Sequence, residues 1–475
     1  MNSKINFRIF LIIPGLIIYS LITKAEIQLP SIFCNNMVLQ QRSDVAIWGK
    51  AEPDKEVELV TSWNQQQYTT KSDQAGEWKL DIATPQAGGP YSIIISDGEK
   101  LELSNVLIGE VWICSGQSNM EMPMKGFRNQ PISGGQEAIV RSENEFIRLF
   151  TAKRMGSLTP LNDLEGSWEE CVPGHVANFS ATAYYFGKLL QETLQVPIGL
   201  ISTNWGGSII EAWMSQEDLQ EYDFVTIPTG VTEIKNPKRT PVVLYNAMIH
   251  PIVGYGIQGV IWYQGEANRD HPKEYEQLFP GLINNWRSLW GAGDFPFYYA
   301  QIAPFDYSYS HTKNSAFLRE AQLKTSEKLL NTGMACLMDA GEEHCIHPSN
   351  KKAAGERLAF QALANTYGTE GIAYSGPTLN EMTIDGNKVT LTFKHAENGL
   401  TTFGKELIHF KVAGADKVFY QAKATIERNG TIVLLSDQVK EPVAVRYAFE
   451  DFVEGELYNT EGLPASSFRT DDWEE

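Results

Sequence analysis

The chain has 475 residues, of which 43% are hydrophobic and 20% charged, and it carries a formal net charge of −19. This length exceeds the usual size of one domain, and the composition is that of a globular protein, which excludes extensive disorder. Binding to nucleic acid depends largely on Lys and Arg that replace condensed counterions, so the acidic balance argues against a nucleic-acid partner.

The first 25 residues show the pattern of a secretory signal. Two basic residues precede an apolar stretch from Ile9 to Ile22, and small residues follow it. An uncleaved membrane anchor is the alternative, but the stretch is shorter than the ~20 residues that a bilayer requires, and Pro14 and Gly15 interrupt it. We predict cleavage after Ala25, a secreted or periplasmic protein, and no membrane span after cleavage.

Two parts of the chain alternate between apolar and polar residues with a period of two, which is typical of antiparallel strands. In residues 26–108, runs such as VAIWGKA, EVELVTSW and YSIIISDG are separated by turn-forming clusters. Beyond about residue 374 the same pattern returns in KVTLTFKH and VAVRYAFED. The prediction is an N-terminal β-sandwich domain over 26–108 and a C-terminal β domain over 374–475.

Residues 109–373 read differently, because continuous apolar runs alternate with helical stretches. This pattern predicts an α/β domain with a parallel sheet covered on both faces. The predicted strands are VWIC, PIGLIST, GVIWYQG, FYYAQIA and MACLMD, and the helices include ATAYYFGKLLQETL, KEYEQLFPGLINNWRSLW, AFLREAQLKTSEKLL and NKKAAGERLAFQALANTYG. Ligands bind beyond the carboxyl ends of such strands, so functional residues are expected just after them.

The first such residue is Ser118, in GEVWICSGQSNMEMPM. Gly116 can take the tight turn after the strand, and Ser118 then stands at the positive end of any helix that begins there. That position suits a nucleophile whose own N–H faces a developing oxyanion. The alternative is a helix N-cap, the commoner use of Ser after a strand.

Two further strand ends carry candidate binding groups. Gly206 and Gly207 follow PIGLIST, where backbone N–H groups without bulky side chains can approach an oxyanion, although a plain turn is the alternative. Gln264 follows GVIWY and offers an amide donor to the same oxyanion, while Glu266 and Asn268 are candidates for holding a substrate hydroxyl. A buried polar network that fixes the loop is the alternative for Glu266.

His347 lies in DAGEEHCIHP, between the last predicted strand and helix of the domain, where a general base is needed. A surface histidine is one alternative. A metal site of His344, His347 and nearby carboxylates is another, but the spacing matches no zinc motif, and no metal is predicted. Cys336 and Cys345 form the one plausible disulfide among the five cysteines.

With these residues in view, the chain resembles the sialate O-acetylesterase family of the SGNH hydrolases, in a bacterial-type multidomain version. The matching stretches include GEVWICSGQSNMEMPM, PIGLISTNWGGSIIEAWM, GVIWYQGEAN and IHPSNKKAAGERLA, and they span nearly all of the mature chain. The resemblance implies an SGNH-type, flavodoxin-like three-layer domain with a parallel sheet, flanked by β-sandwich-like units.

The resemblance also implies roles for individual residues. Ser118 is the nucleophile, His347 its base, and Gly206 or Gly207 assists the oxyanion together with Gln264. Many SGNH enzymes have Asp three residues before the His, where this chain has His344. Asp339 is therefore the first candidate for the third member of the triad, ahead of Glu342, Glu343 or a backbone carbonyl.

The implied activity is hydrolysis of acetyl esters on sugars by two-step acyl transfer, without a cofactor. One alternative keeps the chemistry but takes acetylated xylan or another polysaccharide as substrate. The other is a catalytically inert protein whose β units bind carbohydrate.

Overall fold

The computed structural model describes Met1 and residues 27–230, 233–310 and 314–473. Apart from Met1, the signal predicted at 1–25 lies outside the described residues. Among the described residues, no helix is both long enough and apolar enough to cross a membrane.

The N-terminal part is built mostly of antiparallel strands, as the period-two pattern predicts, although its first strand pairs parallel with the last. β2 pairs with β5, and β3 pairs with both β4 and β6. The strands are β1 (Val38–Gln40), β2 (Asp44–Lys50), β3 (Glu56–Thr61), β4 (Gln67–Lys71), β5 (Glu77–Ala83), β6 (Gly88–Ser96) and β7 (Lys100–Gly116).

Strand β7 belongs to two sheets, because its 17 residues change character along their length. Its first half alternates between exposed and buried side chains and pairs antiparallel with β6, whereas every residue from Val106 to Gly116 is buried. Burial on both faces is typical of a central parallel strand. The boundary that we placed between residues 108 and 109 therefore falls inside one continuous strand.

The central part alternates strands and helices, and all four predicted helices and five predicted strands have counterparts, although the strand at Thr332–Ala335 includes only the first two residues of MACLMD. Two further strands, β8 and β9, were not predicted. The elements are α1 (Ser118–Glu121), α2 (Gly135–Val140), β8 (Asn144–Thr151), β9 (Trp168–Cys171), α3 (Pro173–Val176), α4 (Ala181–Leu194), β10 (Ile198–Asn204), α5 (Gln216–Leu219), β11 (Gly259–Tyr263), α6 (Pro272–Trp290), β12 (Phe297–Ala300), α7 (Ala316–Lys328), β13 (Thr332–Ala335) and α8 (Lys351–Asn365).

The order across the sheet is β13-β12-β11-β7-β10-β8-β9, with parallel neighbours except for β9, which runs antiparallel to β8. One core lies between the sheet and α6 and α7, and a second lies between the opposite face and α4 and α8. The α/β class is as predicted, but the sheet, predicted to be parallel, is mixed, because β9 and β6 pair antiparallel with their neighbours. Gly116 at the end of β7 stands opposite Asn204 of β10 and Tyr263 of β11, so the loops after these three strands meet at one edge.

The C-terminal part is again antiparallel, in agreement with the sequence pattern. Its two larger sheets have the strand orders β14-β15-β20-β19 and β18-β17-β21-β23, and β16 pairs with β22. The strands are β14 (Thr378–Asp385), β15 (Lys388–Lys394), β16 (Leu400–Thr401), β17 (Phe410–Ala413), β18 (Phe419–Gln421), β19 (Lys423–Ile426), β20 (Ile432–Leu435), β21 (Ala444–Tyr447), β22 (Tyr458–Asn459) and β23 (Phe468–Arg469).

Candidate active site

Ser118 is the first residue of α1, two residues after the end of β7. Gly116 has φ +135°, and a Cβ there would lie 2.2 Å from the carbonyl oxygen of Tyr263, so only glycine fits the turn. The N-cap position is held by Gln117, without a side-chain cap, so Ser118 is not the cap that we weighed as its alternative. In the part of the chain that the structure describes, no group forms a hydrogen bond with the Ser118 hydroxyl, which leaves it open for reaction.

His347 lies in the loop between β13 and α8, and its ring is held on two sides. Its Nδ1 is 2.8 Å from Oε1 of Gln130, and the Phe127 ring packs against it edge to face at 5.2 Å between centroids. Burial, and secondarily the charge of Lys351, lowers the pKa of His347 to about 4. The imidazole is therefore neutral at neutral pH, as a general base must be.

The segments that carry Ser118 and His347 are in direct contact, although more than two hundred residues separate them. Nδ2 of Asn119, the residue after Ser118, donates to the carbonyl of Ile346, the residue before His347, at 3.1 Å. Residues next to the serine and next to the histidine are thus bonded to each other.

The glycine loop after β10 also reaches Ser118. A Cβ on Gly206 would lie 3.2 Å from Cβ of Ser118, so glycine allows this close approach. The Gly206 N–H donates to the carboxylate of Glu121, which also pairs with Arg154 at 2.9 Å. Gly207 has φ +76°, and no hydrogen bond within the described ranges uses its N–H. Of the two glycines predicted to assist the oxyanion, only Gly207 has an N–H without a partner in the described residues.

The loop after β11 is more deeply buried than the sequence suggested. Gln264 is 0% exposed, and its Nε2 donates to the carbonyl of Ser208 at 3.1 Å and to Oδ1 of Asn268 at 2.7 Å. Asn268 also accepts from the N–H of Ile210 and donates to Glu211. Both amide protons of Gln264 and one of Asn268 are therefore already bonded within the protein.

Glu266 is 4% exposed, and its Oε1 accepts from Nδ2 of Asn119 at 2.5 Å. Burial raises the pKa of its carboxyl. The structure places this side chain beneath Ser118 in a polar network, which is the alternative that we weighed against a sugar contact.

Asp339, the first candidate for the third triad member, has another partner. Both of its carboxylate oxygens accept from the Arg357 guanidinium at 2.7 Å. Within the described ranges no ion pair joins His347 to a carboxylate, because Glu342 accepts from the N–H of Ser349 and Glu343 pairs with His344. A side-chain amide, Gln130, takes the place expected for an acid.

Two further expectations concerned sulfur and metal chemistry. Cys336 and Cys345 are both free thiols, and Sγ of Cys345 contacts the carbonyl oxygen of His347 at 3.2 Å instead. Among the residues that the structure describes, no three His, Cys, Asp or Glu side chains are grouped to hold a metal ion.

A cleft of about 290 Å³ is lined by Glu121, the last residue of the helix that Ser118 begins, and Ser118 itself is not among its lining residues. Phe127 and Glu121 connect it to His347 and to the glycine loop, and Lys125 and Arg154 contribute two cations to it. Its lining consists of Glu121, Pro123, Lys125, Phe127, Thr151, Ala152, Arg154, Asn178, Ser180, Ser202 and Asn204.

Sequence reasoning missed Gln130, Asn119 and Lys351. Asn119 stands within the conspicuous SGQSN motif, and Lys351 follows IHPSN, so both are adjacent to recognised segments. Gln130 lies in a loop without a motif, and no local signal marks it.

A serine hydroxyl without a hydrogen-bond partner in the described residues, on a segment bonded to that of a neutral histidine at the carboxyl edge of a parallel sheet, is compatible with a serine hydrolase. Comparison with known proteins specifies the family. Residues 108–364 match the family described as carbohydrate esterase, sialic acid-specific acetylesterase.

Individual relatives agree with this match. Sialate O-acetylesterase of Homo sapiens is 30% identical over 408 residues, which cover 76% of this chain and 75% of the human protein. That of Mus musculus is 29% identical over 409 residues, covering 72% and 74%. The crystal structure of a carbohydrate acetylesterase from Xanthomonas citri superposes with a TM-score of 0.87 at 34% identity, over 94% of this chain and 100% of the other. The chain belongs to the sialic acid-specific acetylesterase family and is a carbohydrate esterase, a carboxylic-ester hydrolase.

Proposed function

We propose that the chain is a secreted or periplasmic enzyme that removes O-acetyl groups from sialic acids by acyl transfer to Ser118, on a domain of the SGNH type. The observation that carries this proposal is the hydrogen bond between the Ser118 and His347 segments, beside a serine hydroxyl without a partner in the described residues and an imidazole that burial keeps neutral. The predicted signal at 1–25 supports export. An inert carbohydrate-binding protein would not require this arrangement.

In the first step, the Ser118 hydroxyl attacks the acetyl carbonyl while Nε2 of His347 takes its proton. The tetrahedral intermediate then expels the sugar alcohol, which receives that proton, and acetyl-Ser118 remains. Water, deprotonated by the same imidazole, hydrolyses this ester to acetate and free Ser118. Gln130 accepts from Nδ1–H, which leaves the Nε2 lone pair for the serine.

The oxyanion is best served by the N–H groups of Ser118 and Gly207, for which no hydrogen bond is formed within the described residues. Gly206 and Gln264 then contribute indirectly. Gly206 allows the loop to approach Ser118, and Gln264 anchors it through the carbonyl of Ser208. Glu266 and Asn268 act in the same way, as supports of the site rather than as sugar ligands.

Two cations and one carboxylate line the cleft, and this balance favours an acidic sugar over a neutral one. Arg154 pairs with the Glu121 carboxylate, with which a sugar carboxylate would compete for the guanidinium. Arg154 and Lys125 lie in the cleft of a chain whose net charge is −19, and the Arg154 side chain is 52% exposed. A sialic acid carries a carboxylate that a guanidinium can bind, whereas an acetylated xylo-oligosaccharide carries no charge. This asymmetry supports the sialate substrate over acetyl xylan.

The test is acetate release from matched substrates, namely O-acetylated sialic acids and acetylated xylo-oligosaccharides, with Ser118→Ala and His347→Ala as controls. We expect hydrolysis of the sialate esters and loss of at least ~10³-fold in either variant while the circular dichroism spectrum is unchanged. An active Ser118→Ala would end the proposed mechanism. Preference for the xylan ester would end the proposed substrate.

A further inference from the structure

Lys351, the first residue of α8, is a lysine buried beneath the candidate site, with only 1% of its surface exposed. Its ammonium donates to Oδ1 of Asn119 at 2.5 Å and to the carbonyl of Pro348 at 2.9 Å. It also lies 5.9 Å from the ring centroid of Tyr263. Burial of a cation is energetically unfavourable, so a buried ammonium requires hydrogen-bonding and charged partners.

Asn119 links this cation to a buried carboxylate. Its Oδ1 accepts from Lys351, and its Nδ2 donates both to Oε1 of Glu266 and to the carbonyl of Ile346. The other carboxylate oxygen of Glu266 is buried without a hydrogen-bond partner in the described part of the chain. The Lys351 ammonium faces the oxygen of the Asn119 amide and the Glu266 carboxylate faces its nitrogen, and these two contacts fix the orientation of the amide.

The network binds the backbone on both sides of His347. The carbonyl of Ile346, before it, accepts from Asn119, and the carbonyl of Pro348, after it, accepts from Lys351. We propose that Lys351 is a positioning residue, which through Asn119 holds the His347 loop against the start of α1 and places a positive charge near the imidazole. This inference rests on the roles proposed above for Ser118 and His347.

The charge has a defined effect on the base. After burial, the Lys351 ammonium is the second cause that lowers the pKa of His347. The hydrogen-bond partner of the ring and the aromatic side chain packed on it, Gln130 and Phe127, are both uncharged. A neighbouring cation disfavours the imidazolium, so the lysine keeps the base free to accept a proton in acidic solution.

Lys351 itself is charged in the pH range in which His347 titrates. Burial lowers its pKa to about 7, while the carboxylate of Glu266 and, more weakly, Cys345 and Glu342 act in the opposite direction. Below pH 7 the ammonium form dominates, and this range contains the pH at which His347 titrates.

The test is the pH profile of kcat/KM for 4-nitrophenyl acetate in Lys351→Met, beside the matched control Lys352→Met. Lys352 is the next residue of α8, its side chain is 58% exposed, and it faces Glu356 rather than the network. We expect Lys351→Met to lower kcat by at least ~10-fold through misplacement of the base, and to move the acid limb upward by roughly half a pH unit or more. The control should match the wild type.

Loss of Lys351 leaves Glu266 as an unpaired buried carboxyl, and the single variant can fail to fold for that reason. The double variant Lys351→Met/Glu266→Gln removes both charges and keeps the shape of the second side chain, and it should show the same two changes. A lower melting temperature with wild-type rates and an unmoved acid limb would mark a purely structural lysine and overturn the inference. If Ser118→Ala is inactive while Lys351→Met behaves as the wild type, the inference alone fails; if Ser118→Ala is active, the proposed mechanism fails first.

Discussion

Oε1 of Gln130 lies 2.8 Å from Nδ1 of His347, where a serine hydrolase triad usually has a carboxylate. An amide oxygen can fix the tautomer and the orientation of the ring, but it adds no negative charge to stabilise the imidazolium. The base is therefore oriented by a neutral group, in a site where burial and a lysine already oppose its protonation.

Changing Gln130 separates orientation from charge. Gln130→Ala should lower kcat about 10-fold or more, because the ring loses its orienting acceptor. Gln130→Glu keeps an acceptor and adds a negative charge, so the pKa of His347 should rise and the acid limb of kcat/KM should move to higher pH. Steady-state kinetics across pH with 4-nitrophenyl acetate measure both effects. A wild-type profile in Gln130→Glu would exclude contact between this side chain and the base.

The wild-type enzyme should remain active in acidic solution. Its base has a pKa of about 4 instead of 6.5, so the neutral form persists through this whole interval. Because folding favours the neutral ring, the same group should cost stability as the pH falls from about 6.5 to about 4. A kcat/KM that already halves near pH 6.5 would contradict the low pKa.

Asp339→Asn tests whether this carboxylate acts as a structural partner or as a triad member. The variant breaks a largely buried ion pair with Arg357, and we expect a loss of about 3 kcal/mol in the free energy of unfolding. The kcat of the folded fraction should change less than ~3-fold, whereas loss of a triad carboxylate costs on the order of 10⁴-fold. Denaturant unfolding and kcat are measured on the same preparation. A catalytic collapse without destabilisation would restore Asp339 to the triad.

Gln264→Ala should both destabilise and slow the enzyme. The side chain is fully buried and anchors Ser208 and Asn268, so its removal should lower the free energy of unfolding by roughly 2–4 kcal/mol. Because Ser208 adjoins the two glycines next to Ser118, kcat should fall at least ~10-fold as well. Thermal unfolding and turnover measure the two effects, and near-normal activity would remove Gln264 from any role in the site.

Arg154→Gln tests the charge preference of the cleft. The variant should lower kcat/KM for O-acetylated sialic acid about 10-fold more than for acetylated xylo-oligosaccharide, because only the first carries a carboxylate. Arg141→Gln is the matched control, since Arg141 is a highly exposed arginine that pairs with Glu137 of α2. Equal losses of kcat/KM on both substrates would show that Arg154 does not discriminate between charged and neutral sugars.

Several features of the fold follow from the sequence pattern alone. The second half of β7 and the strands β10 and β11 are largely apolar runs because both faces of each are buried, and such runs stand out without any alignment. β8 and β9 were missed; NEFIRLFT opens with polar residues, and WEEC is only four residues long. The loops that carry Ser118 and His347 were found because each follows such a strand.

The partners of the site residues could not be found in this way. Asp339 lies eight positions before His347, and in the sequence alone it is a candidate partner of that histidine. In the structure it forms a bidentate ion pair with Arg357 of α8 instead. Gln130 is twelve residues beyond Ser118, in a loop whose path depends on packing against Phe127 and His347.

The sequence by itself determined which residue types follow which strands, because strand period, turn glycines and strand order place them at one edge of the sheet. Only the tertiary structure decided which donor meets which acceptor there. A hydrogen bond requires partners within about 3 Å, and that distance is set by how loops far apart in the chain pack together.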